Sequence, residues 1–375
     1  MNPRPPAPEG KRRWQAFFEA GAAGAALVLL ILFLRDFERI PAAFPQVQGT
    51  LVLAEIKAPV EIRRDERGVP HITAESPTDA YVALGFAHAQ DRLAQMLWLR
   101  ATARGQSAHW IGEPGLPADR EARLLNIGGM ADAEAVRLDA STRAVLEAFC
   151  RGVNAYIERI RQGDQGVPWV IGDLDIQSID DWKPGDSLAL VKLYAWGLDG
   201  SLESSLVHQH LLQRLGGFGA NPFLPESGSG GSAAVWPPRK RQLSQDSGLD
   251  EKEAEKVAEE HGATSASGFG ALRRAAGMWG RSVGSSAWVV GGGYSASGYP
   301  LLAADLHFEP TVPAAVMEAH LSGDDLDVGG VMLPGVPVVW TGKNSDVSWA
   351  ATGTSALVVD LFVEAMHPTD PTRYR

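Results

Sequence analysis

Beyond residue 60 the apolar positions fall into short runs, with a spacing that changes from two to three or four and back to two. Val60-Glu61-Ile62-Arg63-Arg64-Asp65 alternates apolar with polar, which predicts a half-buried strand, and Arg67-Gly68-Val69-Pro70 predicts a turn before His71-Ile72. Ser76-Pro77-Thr78-Asp79 supplies a helix cap, a proline at the first helical position and an acid in the first turn. The helix it opens carries an apolar stripe of Ala80, Leu84, Ala87, Leu93, Met96 and Leu97 and ends near Gly105. Two more helices are predicted over 142–160 and 186–215, the second opened by Pro184-Gly185-Asp186-Ser187. After Gly284 the apolar runs shorten to 287–290, 301–304, 338–341, 347–352 and 360–364, separated by Gly, Pro, Asn and Asp, and these predict strands. Helices first and strands afterwards predict an α+β arrangement. No internal repeat is present.

Between the two halves the character changes. Residues 226 to about 280 run through Ser227-Gly228-Ser229-Gly230-Gly231-Ser232, a basic Arg239-Lys240-Arg241 and an acidic stretch from Asp250 to Glu260. Such a segment buries little apolar surface against its ordering entropy and reads as an exposed spacer, easily cut. At the other end of the chain, Lys11, Arg12 and Arg13 precede an apolar run of 15 residues from Ala20 to Leu34, the order of an export segment. No small-residue cleavage site follows, so an uncleaved anchor is expected, ahead of a removed signal or a buried core helix. Positive charge before the run places the N-terminus in the cytoplasm and the remainder across the membrane, in the periplasm or outside the cell.

Composition excludes whole classes. Hydrophobic residues at 45% are too many for a disordered chain, and a net charge of −11 repels polyanions, so no nucleic-acid partner is expected. The one cysteine, Cys150, leaves neither an internal disulfide nor a cysteine-based zinc site. Gly280-Arg281-Ser282-Val283-Gly284 fits the G-x-S-x-G elbow of α/β-hydrolases. That motif needs a strand before the serine and a helix after it, and here the order is reversed. Asp324, Asp325 and Asp327 lack the glycine and closing glutamate of a calcium loop and read as a solvated turn. Gly284-Ser285-Ser286-Ala287-Trp288 sits between the spacer and the strand-rich part. Breaking the bond before Ser285 would give that serine a free α-amine, a base of pKa about 7.7 to 8.0 beside its own hydroxyl.

Several segments taken together resemble the penicillin acylase family of N-terminal-nucleophile amidohydrolases. They are Arg64 to Ile72, the helix segment Leu84 to Met96 with Ala103-Arg104-Gly105, then Gly284-Ser285 with Trp288, Asp305-Leu306-His307, Pro334-Gly335-Val336-Pro337, Gly342-Lys343-Asn344, Ser348-Trp349-Ala350-Ala351-Thr352 and Asp360-Leu361-Phe362. The likeness runs in one order from about Pro59 to Glu364.

The resemblance implies a four-layer αββα sandwich, incomplete in this chain. It also implies a precursor that cuts itself into an α chain, a spacer and a β chain, the α and β chains staying together as a heterodimer. Residues 1–39 then form the basic stub and anchor, 40–225 the helical α region, 226–284 the spacer and 285–375 the start of the β chain. The cut falls at Gly284–Ser285, with Ser285 as nucleophile and base, His307 orienting it and the backbone N–H of Gly353 holding the oxyanion. The substrate is an N-acylated small molecule cleaved at a linear amide. No cofactor is required for the chemistry. A structural calcium is implied only weakly, through Asp360, because Leu357 and Ser205 stand where carboxylates are expected. The family's second oxyanion donor, an asparagine far downstream, is expected beyond Arg375, so the chain reads as a fragment. The rival readings are a membrane-tethered binding domain without catalysis and an esterase using Ser282.

Overall fold

The computed structural model describes residues 44–168, 171, 179–199, 270–277, 284–353 and 370, together with Gly24, Leu27, Val28, Leu30 and Arg214. Its helices are α1 (Pro77–Ala103), α2 (Ala108–Ile111), α3 (Leu116–Leu124), α4 (Ile127–Arg137), α5 (Ala140–Gln162), α6 (Pro184–Leu198) and α7 (Ala271–Ala275). Its strands are β1 (Val60–Arg64), β2 (Pro70–Ala74), β3 (Gly284–Val290), β4 (Leu301–His307), β5 (Met317–Gly323), β6 (Leu326–Met332), β7 (Val339–Asn344) and β8 (Ser348–Trp349). The mixture is α+β, as the sequence predicts. The described residues fall into two compact units, one drawn from 1–97, 139–184 and 319–327, the other from 98–138, 185–318 and 328–375.

In the first unit β1 pairs antiparallel with β2, and β2 pairs parallel with residues 320–322 of β5. The turn between β1 and β2 is held by the carboxylate of Asp65, which accepts the N–H groups of Arg67 and Val69 at 2.9 Å each, while Gly68 takes the positive φ of 79° that the turn requires. Ser76 caps α1 as predicted, its Oγ accepting the N–H of Asp79 at 3.1 Å. Asp139 caps α5 by accepting from Ser141 and Thr142, and Gly163 at φ 81° ends it.

Where the sequence predicts a single apolar stripe on α1, every position from Val82 to Ala89 is buried. A helix enclosed on all sides has no polar face for periodicity to reveal. The enclosure depends on two glycines. A methyl group on Gly85 would fall 2.0 Å from the carbonyl oxygen of Phe149, and one on Gly152 would fall 1.8 Å from that of Val82, so α1 and α5 cross with their backbones nearly touching. Arg64 ties β1 to α1, its guanidinium forking onto both carboxylate oxygens of Asp91 at 2.8 and 2.9 Å and reaching Oε1 of Gln90 at 2.8 Å.

His88 lies on α1, fully buried with its ring edge-on to Phe149. Burial, and secondarily the charge of Arg92, pushes its pKa down to about 3. The unfolded chain takes up that proton near the ordinary value of about 6.5, so the stabilisation is complete above that pH and is lost as the pH falls toward 3. Urea unfolding at pH 7 and 4.5 is expected to show His88 contributing about 2 to 3 kcal/mol to the loss of stability, and His88→Gln to remove that share. An unchanged pH dependence in the variant would contradict the assignment.

In the second unit Arg104 forks onto Asp132 at 2.9 and 3.0 Å and donates through Nε to Asp186 at 2.7 Å, which places the first turn of α6 beside the end of α1. Helix α6 begins at Pro184, two residues ahead of the expected start, and the part expected beyond Asp199 lies outside the described residues except for Arg214. Ser187 Oγ donates to the carbonyl of Gly335 at 2.7 Å, fixing the buried Pro334-Gly335-Val336-Pro337 turn. Strand β7 pairs antiparallel with β6 and with β8. A Cβ on Gly342 would sit 2.2 Å from the carbonyl oxygen of Gly329, so only glycine fits where these strands meet. Strands β3 and β4 form a separate antiparallel ladder.

Residues 270–277 lie inside the span read as an exposed spacer, yet Gly270 and Leu272 are buried, with Arg274 and Gly277 exposed beside them. The rest of that span, apart from Gly284, lies outside the described residues, as do Ser205, Ser282, Leu357 and Asp360. Most of the apolar run 20–34 does too. Its described positions Gly24, Leu27, Val28 and Leu30 are helical, and the last three are 57%, 56% and 51% exposed. Among the described residues no helix is long and apolar enough to cross a membrane.

Candidate active site

Ser285 is the second residue of β3 and pairs with Leu306 of β4, while Gly284 pairs with His307. The hydroxyl of Ser285 donates to Oγ1 of Thr352 at 3.1 Å and accepts the backbone N–H of Gly353 at 2.9 Å. Thr352 Oγ1 also lies 3.4 Å from the carbonyl oxygen of Ser285. Two residues 67 and 68 positions downstream therefore converge on one hydroxyl.

Local bonds explain how that segment is aimed. Asn344 ends β7 and accepts the N–H groups of Asp346 and Val347 at 2.9 and 2.7 Å, turning the chain into β8. Trp349 Nε1 then donates to the carbonyl of Val339 at 3.0 Å, and Ala351 N–H donates to Thr341 Oγ1 at 3.1 Å. Held at both points, the chain leaves β8 with Thr352 and Gly353 at Ser285.

His307 occupies a different position. Opposed residues of an antiparallel ladder share a face and successive residues alternate, so the ring of His307 lies on the face of Gly284 and not on the face of the Ser285 hydroxyl. A Cβ on Gly284 would come 3.6 Å from His307 Nδ1, and His307 Nε2 lies 3.3 Å from Asp305 Oδ2. His307 thus stands beside the Gly284–Ser285 peptide. Trp288, three residues beyond Ser285, is 61% exposed.

Of the residues expected from sequence, the structure brings Ser285 and Gly353 together and sets His307 next to Gly284. Nothing in the sequence singles out Thr352, although it immediately precedes Gly353 in a segment that carries the resemblance. Ser282 and Asp360 lie outside the described residues, and among the described residues no group of three or more His, Cys, Asp or Glu is placed to hold a metal. A hydroxyl between a backbone donor and a second hydroxyl, on a strand of an exposed ladder, is suited to attack on a carbonyl carbon whose oxygen the donor can then hold.

The chain is 30% identical over 334 residues to penicillin acylase 2 proenzyme of Pseudomonas sp. (strain SE83), covering 88% of this chain and 40% of that protein. It is 28% identical over 335 residues to acyl-homoserine lactone acylase QuiP of Pseudomonas aeruginosa, covering 88% of this chain and 37% of that protein. The chain spans about two fifths of the length of these curated relatives. A solved thermostable penicillin G acylase from Alcaligenes faecalis matches at 23% identity and a TM-score of 0.40, over 48% of this chain and 98% of that chain. The pattern that defines penicillin amidases matches residues 59–375, and the chain belongs to the penicillin amidase family.

Proposed function

We propose that this chain is part of the precursor of an acylase that hydrolyses the amide bond of N-acylated small molecules, with Ser285 as nucleophile. The observation that carries the reading is the Gly353 N–H at 2.9 Å from the Ser285 hydroxyl oxygen. Maturation begins when that oxygen attacks the Gly284 carbonyl carbon. The C–N bond breaks, an ester joins Gly284 to Ser285 Oγ, and the nitrogen takes up the hydroxyl proton and becomes the α-amine of Ser285. Water hydrolyses the ester, leaving a carboxylate on Gly284 and a free hydroxyl on Ser285.

In the cut protein the α-amine takes the hydroxyl proton as Oγ attacks the substrate amide carbonyl, and Gly353 N–H donates to the developing oxyanion. The substrate nitrogen leaves as an amine with that proton, and water then releases the acyl group as a carboxylate. The relatives' names supply two candidate substrate classes, penicillins and acyl-homoserine lactones. Export and anchoring through residues 20–34 complete the proposal, supported by the exposure of Leu27, Val28 and Leu30, which a core helix would bury.

Gly353→Pro, which deletes the N–H, is expected to lower kcat of the cut protein about 10²- to 10³-fold. Gly353→Ala keeps the N–H, meets no atom of the described residues within 4 Å, and is expected to stay near the native rate. Equal losses in the two variants would remove Gly353 from the mechanism. The reaction also requires a neutral amine, so activity is expected to fall as the pH drops below about 7 to 8 and that amine gains a proton. A flat rate profile between about pH 5 and 9 would require another base.

A further inference from the structure

We infer that residues 270–277 are a docked end of the spacer and that Glu121 of α3 is the positioning residue that holds it for cleavage at Gly284–Ser285. This rests on the self-cutting reading above and adds the device that prepares the bond for it. Glu121 is only 4% exposed. Its carboxylate accepts the indole N–H of Trp196 at 3.0 Å, the backbone N–H of Gly270 at 3.1 Å and that of Leu272 at 3.0 Å. A buried carboxylate needs such donors, and two of the three come from the spacer itself.

The other contacts repeat the pattern. Leu272 is fully buried, Trp98 Nε1 donates to the carbonyl of Ala275 at 2.9 Å, and the Arg273 guanidinium lies 5.7 Å from the ring centroid of Trp196. Arg273 also donates to the carbonyl of Asp199. Trp98, Glu121 and Trp196 all precede the spacer in the chain, so the region before it grips its far end.

The grip bears on catalysis through chain length. Gly277 and Gly284 are seven residues apart, at most about 25 Å of extended chain. With 270–277 docked, the chain is held seven residues ahead of Gly284, and Gly284 and Ser285 are themselves paired in β3. Fewer conformations then compete with the one in which the hydroxyl meets the carbonyl.

The test follows self-cleavage of the product of the complete gene over time, with Ser285→Ala as control. Glu121→Gln, which weakens charge-assisted bonds while keeping an acceptor, is expected to slow the cut roughly ten-fold. Leu272→Ala, changed on the spacer side, is expected to slow it similarly. In both, kcat of the molecules that have been cut is expected to match the native protein. The thermal midpoint of the uncut chain, read with Ser285→Ala added, is expected to be native in Glu121→Gln and lower in Leu272→Ala, whose buried side chain leaves a cavity. Native cleavage rates in both variants, or slowing in Glu121→Gln that only follows a fall in its thermal midpoint, would overturn the inference alone. A Ser285→Ala chain that is still cut at the native rate would overturn the reading beneath it as well.

Discussion

Ser285→Ala is expected to leave the precursor in one piece and to lower amide hydrolysis by at least about a thousand-fold, because the proposed mechanism uses the same hydroxyl for both reactions. Ser282→Ala is expected to be cut and active at near-native rates. Denaturing gels of the expressed proteins separate the two outcomes, and amine release from an N-acyl substrate gives the rates. A Ser285→Ala protein that is both cut and active would end the nucleophile assignment. Loss of activity in Ser282→Ala instead would favour the esterase reading.

The second large effect concerns folding. Gly152→Ala is expected to destabilise the first unit by at least about 3 kcal/mol, because its methyl would lie 1.8 Å from a carbonyl oxygen of the α1 backbone and no side chain can turn aside to admit it. Gly85→Ala meets the mirror situation at 2.0 Å from the Phe149 carbonyl oxygen. The two helices must move apart in either variant, so the double variant is expected to cost less than the sum of the single changes. Chemical unfolding of all three proteins checks this. A loss of under about 1 kcal/mol for either single change would show that the crossing has slack.

These two effects divide the resemblance into chemistry and scaffold. Arg64, Asp91 and Arg104 belong to segments that carry the resemblance, yet the structure uses them as forks between elements. The Pro334–Pro337 turn is likewise a buried piece of scaffold held by Ser187. Among the described residues, the segments at Gly284-Ser285 and Thr352-Gly353 meet at the hydroxyl proposed as nucleophile.

Legibility follows the kind of signal available. The cap at Ser76, the turn at Arg67–Pro70 and the strand at Val60 can be read because each rests on local chemistry. Helices α3 and α4 bury mainly small side chains and, on α3, the carboxylates of Asp119 and Glu121, so no stripe of large apolar residues marks them. Strand β6 contains Gly329 and Gly330, which weaken a strand pattern, and a Cβ on Gly330 would fall 2.2 Å from the carbonyl oxygen of Thr341 in β7. The stretch at Leu272 reads as spacer because its neighbours are Arg, Ala and Gly, and its burial rests on distant partners such as a carboxylate 151 residues earlier in the chain and the indole of Trp98. Thr352 depends on the same kind of long-range pairing, which no local pattern encodes.

The most direct measurement is the N-terminal sequence of the large fragment obtained after expression of the complete gene. A fragment beginning Ser285-Ser286-Ala287-Trp288 is expected, with Gly284 at the end of the piece released before it. A folded, active protein in which Gly284 and Ser285 are still joined would contradict the assignment of Ser285 as a nucleophile that becomes its own base.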